Sequence, residues 1–567
     1  MDYLKKYGEW LKYDKLPEDI KLELTNLKDN ENEIKERFGA DLSFGTAGLR
    51  GVISAGTNCM NIFTVRRATK GLALYIIDAK IENPSVVIGY DSRHKSDEFA
   101  KEAANTLSQY GIKVYLFNEL RPVPEVSFAT RYLKCTAGIM ITASHNPSKY
   151  NGYKVYGSDG CQIGPEIADI VTDKINNLDL FGESPKPVNE SLINMIGEEI
   201  EDEFLKAVLS QRINAEASEK AGESFKIVYT PFHGTGYKPV MKAFKAIGLK
   251  NVYPVEKQCI PDGDFPTVKS PNPEEKEGFE LGIKMAKELD VDLILGTDPD
   301  CDRVGIVVKN GEGEYVNFTG NQVGALLCEY ILSQRKAKGT MPKNPFVVKT
   351  IVTTDIIRDI CKNYGVTMFE CLTGFKFIGE LIKEFDEEGE MSYVFGFEES
   401  YGYLAGTHAR DKDGVVASML IAEMAAYYSL NNKTLYDALV DLYNKYGWHQ
   451  EGILNIVREG LDGAEQIKAS ITKVRTNAPR EIAGFEVIAL RDYSLQKRHN
   501  FKDGKTEDLK LPKSNVLYFE LEGGMWVVMR PSGTEPKLKI YVGTKAESKE
   551  KAKELSDNIL EDVKSLL

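Results

Sequence analysis

Val86-Val87-Ile88-Gly89, then Ser96 to Gln109, then Lys113 to Phe117 decides the fold. The first and last runs are short and apolar, as buried strands are. The middle run has helical periodicity and opens on Asp97 and Glu98, which suit a helix N-terminus. This is a βαβ unit, and it implies a sheet with ligand loops at strand C-termini. The rhythm returns through Lys226 to Tyr229, Lys238 to Ile247, Val252 to Val255, Glu274 to Glu288 and Val291 to Leu295. It returns again through Phe346 to Ile351, Thr354 to Tyr364, Thr367 to Phe369, Lys376 to Phe385 and Tyr393 to Phe395. From about Trp448 the pattern changes to a helix over Ala464 to Val474, strands near Val516 to Glu520 and Met525 to Met529, and an amphipathic helix from Ala546 to Leu566. The expected fold is three consecutive α/β domains with mixed sheets followed by an α+β domain, four domains around a central cleft, with boundaries at 1–215, 216–312, 313–446 and 447–567.

Composition agrees with four such domains. The 567 residues, at roughly 150 per domain, leave room for a core in each. A net charge of -13 argues against a nucleic-acid footprint and leaves room for a local basic pocket. The 8 cysteines form no CxxC pair and read as small buried hydrophobes of a reducing compartment. Met1-Asp2-Tyr3-Leu4-Lys5-Lys6 leads into no apolar signal segment, and no run reaches the about 18 apolar residues of a membrane span. The expectation is a cytoplasmic enzyme acting on small molecules, with no nucleic-acid or membrane partner, as a monomer or weak homodimer.

Two stretches carry chemistry. Thr142-Ala143-Ser144-His145-Asn146-Pro147 follows the apolar Ile139-Met140-Ile141, which presents a hydroxyl at a strand end. It is not a Gly-x-Ser-x-Gly elbow, so phosphoryl storage fits Ser144 better than acyl transfer, and a turn serine is the plain alternative. His145 reads as a hydrogen-bonding support or a general base, and Lys154 as phosphate-facing or solvated. Asp298, Asp300 and Asp302 recur at every second residue, so an extended loop turns three carboxylates to one side. Such like charges need a cation, and an all-oxygen set suits Mg²⁺; a solvated acidic turn is the alternative. An EF-hand is excluded, because Arg303 and Lys309 stand where it needs glycine and glutamate. Arg530-Pro531-Ser532-Gly533-Thr534 offers a guanidinium, two hydroxyls and a glycine, the makings of a phosphate clasp.

These motifs, together with Gly45-Thr46-Ala47-Gly48-Leu49-Arg50-Gly51, Thr373-Gly374-Phe375-Lys376 and Gly396-Phe397-Glu398-Glu399-Ser400, resemble the α-D-phosphohexomutase family, nearest to its long phosphoglucomutase and phosphopentomutase-like branch. The resemblance spans almost the whole chain. It implies a phosphoserine enzyme with Mg²⁺ that interconverts α-D-glucose 1-phosphate and glucose 6-phosphate, with α-D-glucose 1,6-bisphosphate as activator and intermediate. Mannose and pentose phosphates are the alternative substrates, and a sugar phosphatase is a remoter reading. By the same resemblance Ser144 is the phosphorylated residue and a ligand of the metal held by Asp298, Asp300 and Asp302. Arg303 binds the transferring phosphoryl group, Arg50 belongs to the catalytic set, and Lys412 in Arg410-Asp411-Lys412-Asp413-Gly414 is the proposed general base, with His145 and His408 as alternatives. Glu398 and Ser400 grip the sugar hydroxyls, Thr373, Gly374 and Lys376 line the sugar, and Arg530, Ser532, Gly533, Thr534 and Lys539 hold the non-reacting phosphate. Two departures stand out. Lys539 replaces a commoner arginine and loses its rigid fork. Phe397 stands where many hexose enzymes have glycine, which places its ring in the question of sugar size. Arg93 reads as structural or phosphate-facing, and His233 as a turn-packing residue.

Overall fold

The computed structural model describes residues 2–45, 48–458, 463–532 and 537–567. The chain separates into two compact units, one of Met1–Thr319, Gly379–Tyr393 and Ser400–Thr434, the other of Gly320–Ile378, Val394–Glu399 and Leu435–Leu567.

The first unit contains two mixed sheets. In one the strands run in the order Leu49–Val52, Tyr150–Gly157, Ala137–Ile141, Ser85–Tyr90, Lys113–Phe117 and Ile193–Ile196. The strands from Ala137–Ile141 to Ile193–Ile196 are parallel, and Tyr150–Gly157 returns antiparallel. Ser85–Tyr90 is buried on both faces, which explains its unbroken apolar run. Val86 and Ile88 join the core made with Leu72, Phe99, Ala103 and Leu107 of the helices Ile62–Asp78 and Ser96–Gln109. Gly89, next along that strand, lies against Val126 of the helix Val123–Tyr132. The other sheet runs Tyr315–Asn317, Val304–Lys309, Leu293–Thr297, Lys226–Thr230 and Asn251–Pro254. Leu293–Thr297 is parallel to Lys226–Thr230 and antiparallel to Val304–Lys309.

In the second unit Pro345–Thr350 runs parallel to Thr367–Cys371, beside the helices Gly320–Lys338 and Ile356–Tyr364. The C-terminal region is an antiparallel sheet that begins Trp448–Val457, Lys537–Ala546, Trp526–Pro531, Leu517–Leu521 and Phe485–Asp492. The helices around Ile467 and Ile559 cover one of its faces. Sequence periodicity starts the last helix at Ala546. In the structure Lys537–Ala546 is a strand and the helix starts at Lys549, where the Ser548 side chain accepts the Lys551 N–H and caps it.

Packing in the second unit depends on Gly324. A Cβ there would come within 2.0 Å of the fully buried Phe397 ring. Alanine is favoured over glycine in a helix by about 1 kcal/mol, and overpacking a core costs about 1–3 kcal/mol. With a ring locked in the strand Ser392–Glu398, the clash wins. Gly324→Ala should therefore lower the thermal unfolding midpoint, and adding Phe397→Leu should restore part of it; an unchanged midpoint for Gly324→Ala would contradict this packing.

Candidate active site

Strand Ala137–Ile141 is buried throughout and delivers its C-terminal loop to a polar centre. Ser144 is buried with φ 54°, a left-handed backbone that a serine adopts only when its surroundings impose it. Arg93 imposes it. Its guanidinium donates to the carbonyl oxygens of Ser144 at 2.6 Å and of Pro147 and Tyr150 at 3.0 Å each, and also to that of Asn146. The Ser144 N–H donates to Thr142 Oγ1 at 2.8 Å, and the Thr142 hydroxyl donates to Asp91 Oδ2 at 2.6 Å and lies 3.1 Å from Asp300 Oδ2. So held, Ser144 Oγ donates to Asp298 Oδ2 at 2.8 Å and lies 3.2 Å from His145 Nδ1. Burial, with Arg303 and Arg50 nearby, pushes the His145 imidazole well below its ordinary range and keeps it neutral. Arg50 reaches the same loop through Asn146 Oδ1 at 3.3 Å.

Asp298, Asp300 and Asp302 are buried, and one oxygen from each lies within 4.8 Å of the others. The sequence reading assigned their convergence to an extended loop; here they sit on a tight turn between Leu293–Thr297 and Val304–Lys309. Cys301 is left-handed at φ 50°, and its N–H donates to the Asp298 carbonyl at 2.9 Å. The turn is pinned from outside, because the Asp300 carbonyl accepts from Val123 N–H, Pro299 from Thr235 N–H and Cys301 from Gly414 N–H.

Three buried carboxylates carry a large desolvation cost. Burial raises Asp298 well above the ordinary carboxylate range, and Asp300 and Asp302 push it further. For Asp302 burial acts in the same direction, but Lys412, Lys154 and Arg303 outweigh it and hold the group well below that range. Lys154 lies 2.9 Å from Asp300 Oδ2 and 3.3 Å from Asp302 Oδ2. Burial disfavours its charge, yet those two carboxylates raise its amine above the usual value. Lys412 lies 3.2 Å from Asp302 Oδ2 and 2.9 Å from Asp411 Oδ1, and Tyr156 and Gln162 hold the other Asp411 oxygen. Among the described residues Asp300 Oδ1 and Asp302 Oδ1 remain buried without a hydrogen-bond donor. Orphaned carboxylate oxygens in an all-oxygen cluster fit a hard divalent cation.

The first unit thus gathers Ser144, His145, Asp298, Asp300, Asp302, Lys412 and Arg303, with Arg50 at the loop's edge. Arg303 stands beside the acidic turn, its Nη1 paired with Glu274 at 3.0 Å and its Nε 3.8 Å from Asp302. His408 is bound 2.7 Å from Asp413, whose other oxygen caps the helix Gly414–Ser429. His233 is buried between Ile260 O and Thr267 Oγ1, the packing role expected of it. Local sequence gives no signal for Asp91, Thr142 or Asp411 as supports of the site, because the partners that make them so, Thr142 for Asp91, Asp300 for Thr142 and Tyr156 for Asp411, lie far along the chain.

In the second unit Gly374, at φ 125°, donates its N–H to Glu398 Oε1 at 2.8 Å, joining the two sugar-loop candidates. Thr373 Oγ1 is buried and, among the described residues, has no hydrogen-bond partner. Lys376 lies over the Phe377 ring at 4.9 Å. Arg530 and Lys539 stand directly opposite each other on neighbouring strands, and Ser532 follows on the same loop. Gly533 and Thr534 lie outside the described residues, and Ser400 belongs to the first unit. Phe397 corrects an expectation. Its ring stacks on Phe395 at 5.6 Å, inside the core with no exposed surface, so it does not gauge sugar size. Glu399, two residues further on, escaped the sequence reading. Its Oε2 lies 3.4 Å from the Thr350 and Thr353 hydroxyls. Burial and Glu398 push its carboxyl up to about 7, against the pull of Arg530 and Lys539.

A carboxyl raised on folding contributes stability that is present at low pH and lost as pH rises through its folded value. Glu399→Gln removes the ionisation, so its thermal midpoint should exceed the parent's near pH 8 and converge with it near pH 5. A constant offset at both pH values would refute the assignment.

Comparison with known proteins matches this geometry to a family. Models described as phosphoglucomutase/phosphomannomutase, alpha/beta/alpha domains I, II and III, match residues 41–181, 202–311 and 319–446, and the C-terminal domain model matches 494–562. A phosphoglucomutase of Staphylococcus haemolyticus is 40% identical over 512 residues, covering 90% of this chain and 91% of its own. One from Staphylococcus aureus (strain USA300) is 37% identical over 516 residues, with the same coverage. Among solved structures, pp63/parafusin from Paramecium, in an open form, shares the fold at TM-score 0.69 and 15% identity, over 93% of this chain and 95% of that one. A phosphoglucomutase/phosphomannomutase family protein from Burkholderia thailandensis shares it at TM-score 0.65 and 19% identity, over 92% and 97%. The chain belongs to the phosphoglucomutase/phosphomannomutase, or α-D-phosphohexomutase, family, with its three α/β/α domains followed by an α+β C-terminal domain.

Proposed function

We propose that the chain is a phosphoglucomutase that interconverts α-D-glucose 1-phosphate and glucose 6-phosphate through a phosphorylated Ser144 and α-D-glucose 1,6-bisphosphate. The observation that carries the reading is Ser144 Oγ on Asp298, at 2.8 Å, beside two further buried carboxylates with orphaned oxygens. Curated phosphoglucomutases at 37–40% identity over 90% of the chain support glucose over mannose or pentose phosphates. Phe397, buried in the core, offers no surface by which its ring would select a pentose.

Asp298, Asp300 and Asp302 would hold Mg²⁺ with an oxygen on Ser144 as a further ligand; when bound, the ion stabilises charge developing on the transferring phosphoryl group. The chain's own groups do the rest. Ser144 Oγ gives its phosphoryl group to one end of the sugar monophosphate and takes the phosphoryl group at the other end of the bisphosphate. Lys412, as the neutral amine, accepts the proton of the attacking sugar hydroxyl and, as the ammonium so formed, returns it to the departing oxygen. Neutral His145 and Arg50 keep the Ser144 loop in place, and Arg303 meets the phosphoryl oxygens. Glu398 and Ser400, with Thr373, Gly374 and Lys376, orient the sugar hydroxyls. Arg530, Ser532 and Lys539, with Gly533 and Thr534, hold the non-reacting phosphate, so the bisphosphate can reorient without a change of contacts. Among the described residues no helix is long and apolar enough to cross a membrane, and we place the enzyme in the cytoplasm as a monomer or weak homodimer.

Ser144→Ala should reduce kcat by on the order of a thousandfold or more with its melting curve retained. Peptide mapping after incubation with glucose 1,6-bisphosphate should place the phosphate on Ser144. Near-normal turnover by Ser144→Ala would defeat the reading. Exhaustive chelation should abolish turnover, and Mg²⁺ should restore it; full activity at negligible metal content would remove the metal from the proposal. A kcat/KM for ribose 1-phosphate or mannose 1-phosphate above that for glucose 1-phosphate, each with its bisphosphate present, would reassign the substrate.

A further inference from the structure

Trp448–Val457 begins the strand order of the C-terminal sheet, with Lys537–Ala546 beside it and Trp526–Pro531 next. Register places Asn455 directly opposite Lys539, and Lys539 directly opposite Arg530. Alternate residues of these strands, Leu454, Ile456, Leu538, Ile540 and Met529, pack into the apolar core under the helices. Strand alternation therefore sends Asn455, Lys539 and Arg530 to the other face as one row. With strands roughly 4.8 Å apart, the outer two stand about 10 Å apart with Lys539 between them.

Asn455 is out of place as a sheet residue. Asparagine is depleted from strands, and here it is exposed between Ile453 and Val457, the apolar residues that precede and follow it on the same face. Among the described residues no hydrogen bond engages its carboxamide. Its chemistry complements the two cations. The Arg530 guanidinium is a planar fork, whereas the Lys539 ammonium is a point charge that fixes no direction. A carboxamide adds two directed N–H donors without adding charge.

We propose that Asn455 is a further phosphate-binding residue of the C-terminal domain, donating its carboxamide N–H to a phosphate oxygen of the substrate held over Lys539. This rests on the reading that the Arg530 loop receives the non-reacting phosphate. It adds to that loop a residue that lies 75 positions before Arg530 on a different strand and that no motif marks.

The test uses the full chain, with inorganic phosphate as a probe in titration calorimetry and glucose 1-phosphate in steady-state kinetics. A hydrogen bond to a charged group contributes about 1.5–3 kcal/mol, so Asn455→Ala should weaken phosphate binding and raise KM by about tenfold or more, with kcat changed less than about twofold. Asn455→Asp, which sets a carboxylate in the row, should be worse than alanine in both readouts. Both variants should keep the parent's melting midpoint, since the side chain is exposed. Arg530→Met serves as the reference. If it weakens phosphate binding while both Asn455 variants match the parent, the inference falls and the phosphate loop stands. If Arg530→Met also matches the parent, the loop reading falls and takes the inference with it. An Asn455→Asp no weaker than Asn455→Ala would likewise overturn the placement of Asn455 beside the anion.

Discussion

Three buried carboxylates within 4.8 Å of one another are the constraint around which the first unit is organised. Like charges at that separation, out of water, are costly enough that the turn carrying them would open unless neighbours compensated. Compensation comes from widely separated parts of the chain. Lys154 arrives on a returning antiparallel strand and Lys412 on the segment before the helix Gly414–Ser429, while backbone N–H groups of Val123, Thr235 and Gly414 clamp the turn's carbonyls. The orphaned oxygens on Asp300 and Asp302 mark where that compensation is incomplete, and a divalent cation would complete it.

Ser144 belongs to the same electrostatic system. Its hydroxyl is aimed at Asp298 by the left-handed backbone that Arg93 enforces through the loop carbonyls, and Thr142 ties the loop to both Asp91 and Asp300. The loop and the acidic turn therefore support each other, so a change in either is felt by both. Keeping His145 neutral matters for the same reason, because a third cation beside Arg303 and Arg50 would compete for the carboxylates that a metal requires.

The second unit fixes its polar groups from rigid backbone. Gly374 and Glu398 are joined by a hydrogen bond, and Arg530 and Lys539 are set by cross-strand register rather than by a loop. Glu399 shows how far this crowding goes. Next to Glu398 and partly screened by Arg530 and Lys539, its carboxyl is displaced toward the protonated form. The Phe397 ring, by contrast, is spent on packing against Gly324 and Phe395.

Much of this was written in the local sequence. Buried parallel strands need continuous apolar runs and the intervening helices a 3.6-residue period, so Val86 to Gly89 and Ser96 to Gln109 declared themselves, as did the hydroxyl loop at Ser144 and the alternating aspartates. The strands Trp448–Val457 and Lys537–Ala546 were missed because their sequences mix polar and apolar residues and their pairing is long-range. Which face a residue takes, which lysine neutralises which carboxylate, and which aromatic is buried were decided only by tertiary structure. Charge compensation joins residues more than a hundred positions apart, and the register of Trp448–Val457 on Lys537–Ala546 joins residues eighty or more apart; no local pattern encodes a partner at that distance. The sequence by itself determined which groups are available for chemistry; the folded chain decided that Lys154 and Lys412 meet Asp302, that Phe397 turns inward, and that Asn455, Lys539 and Arg530 stand in one row.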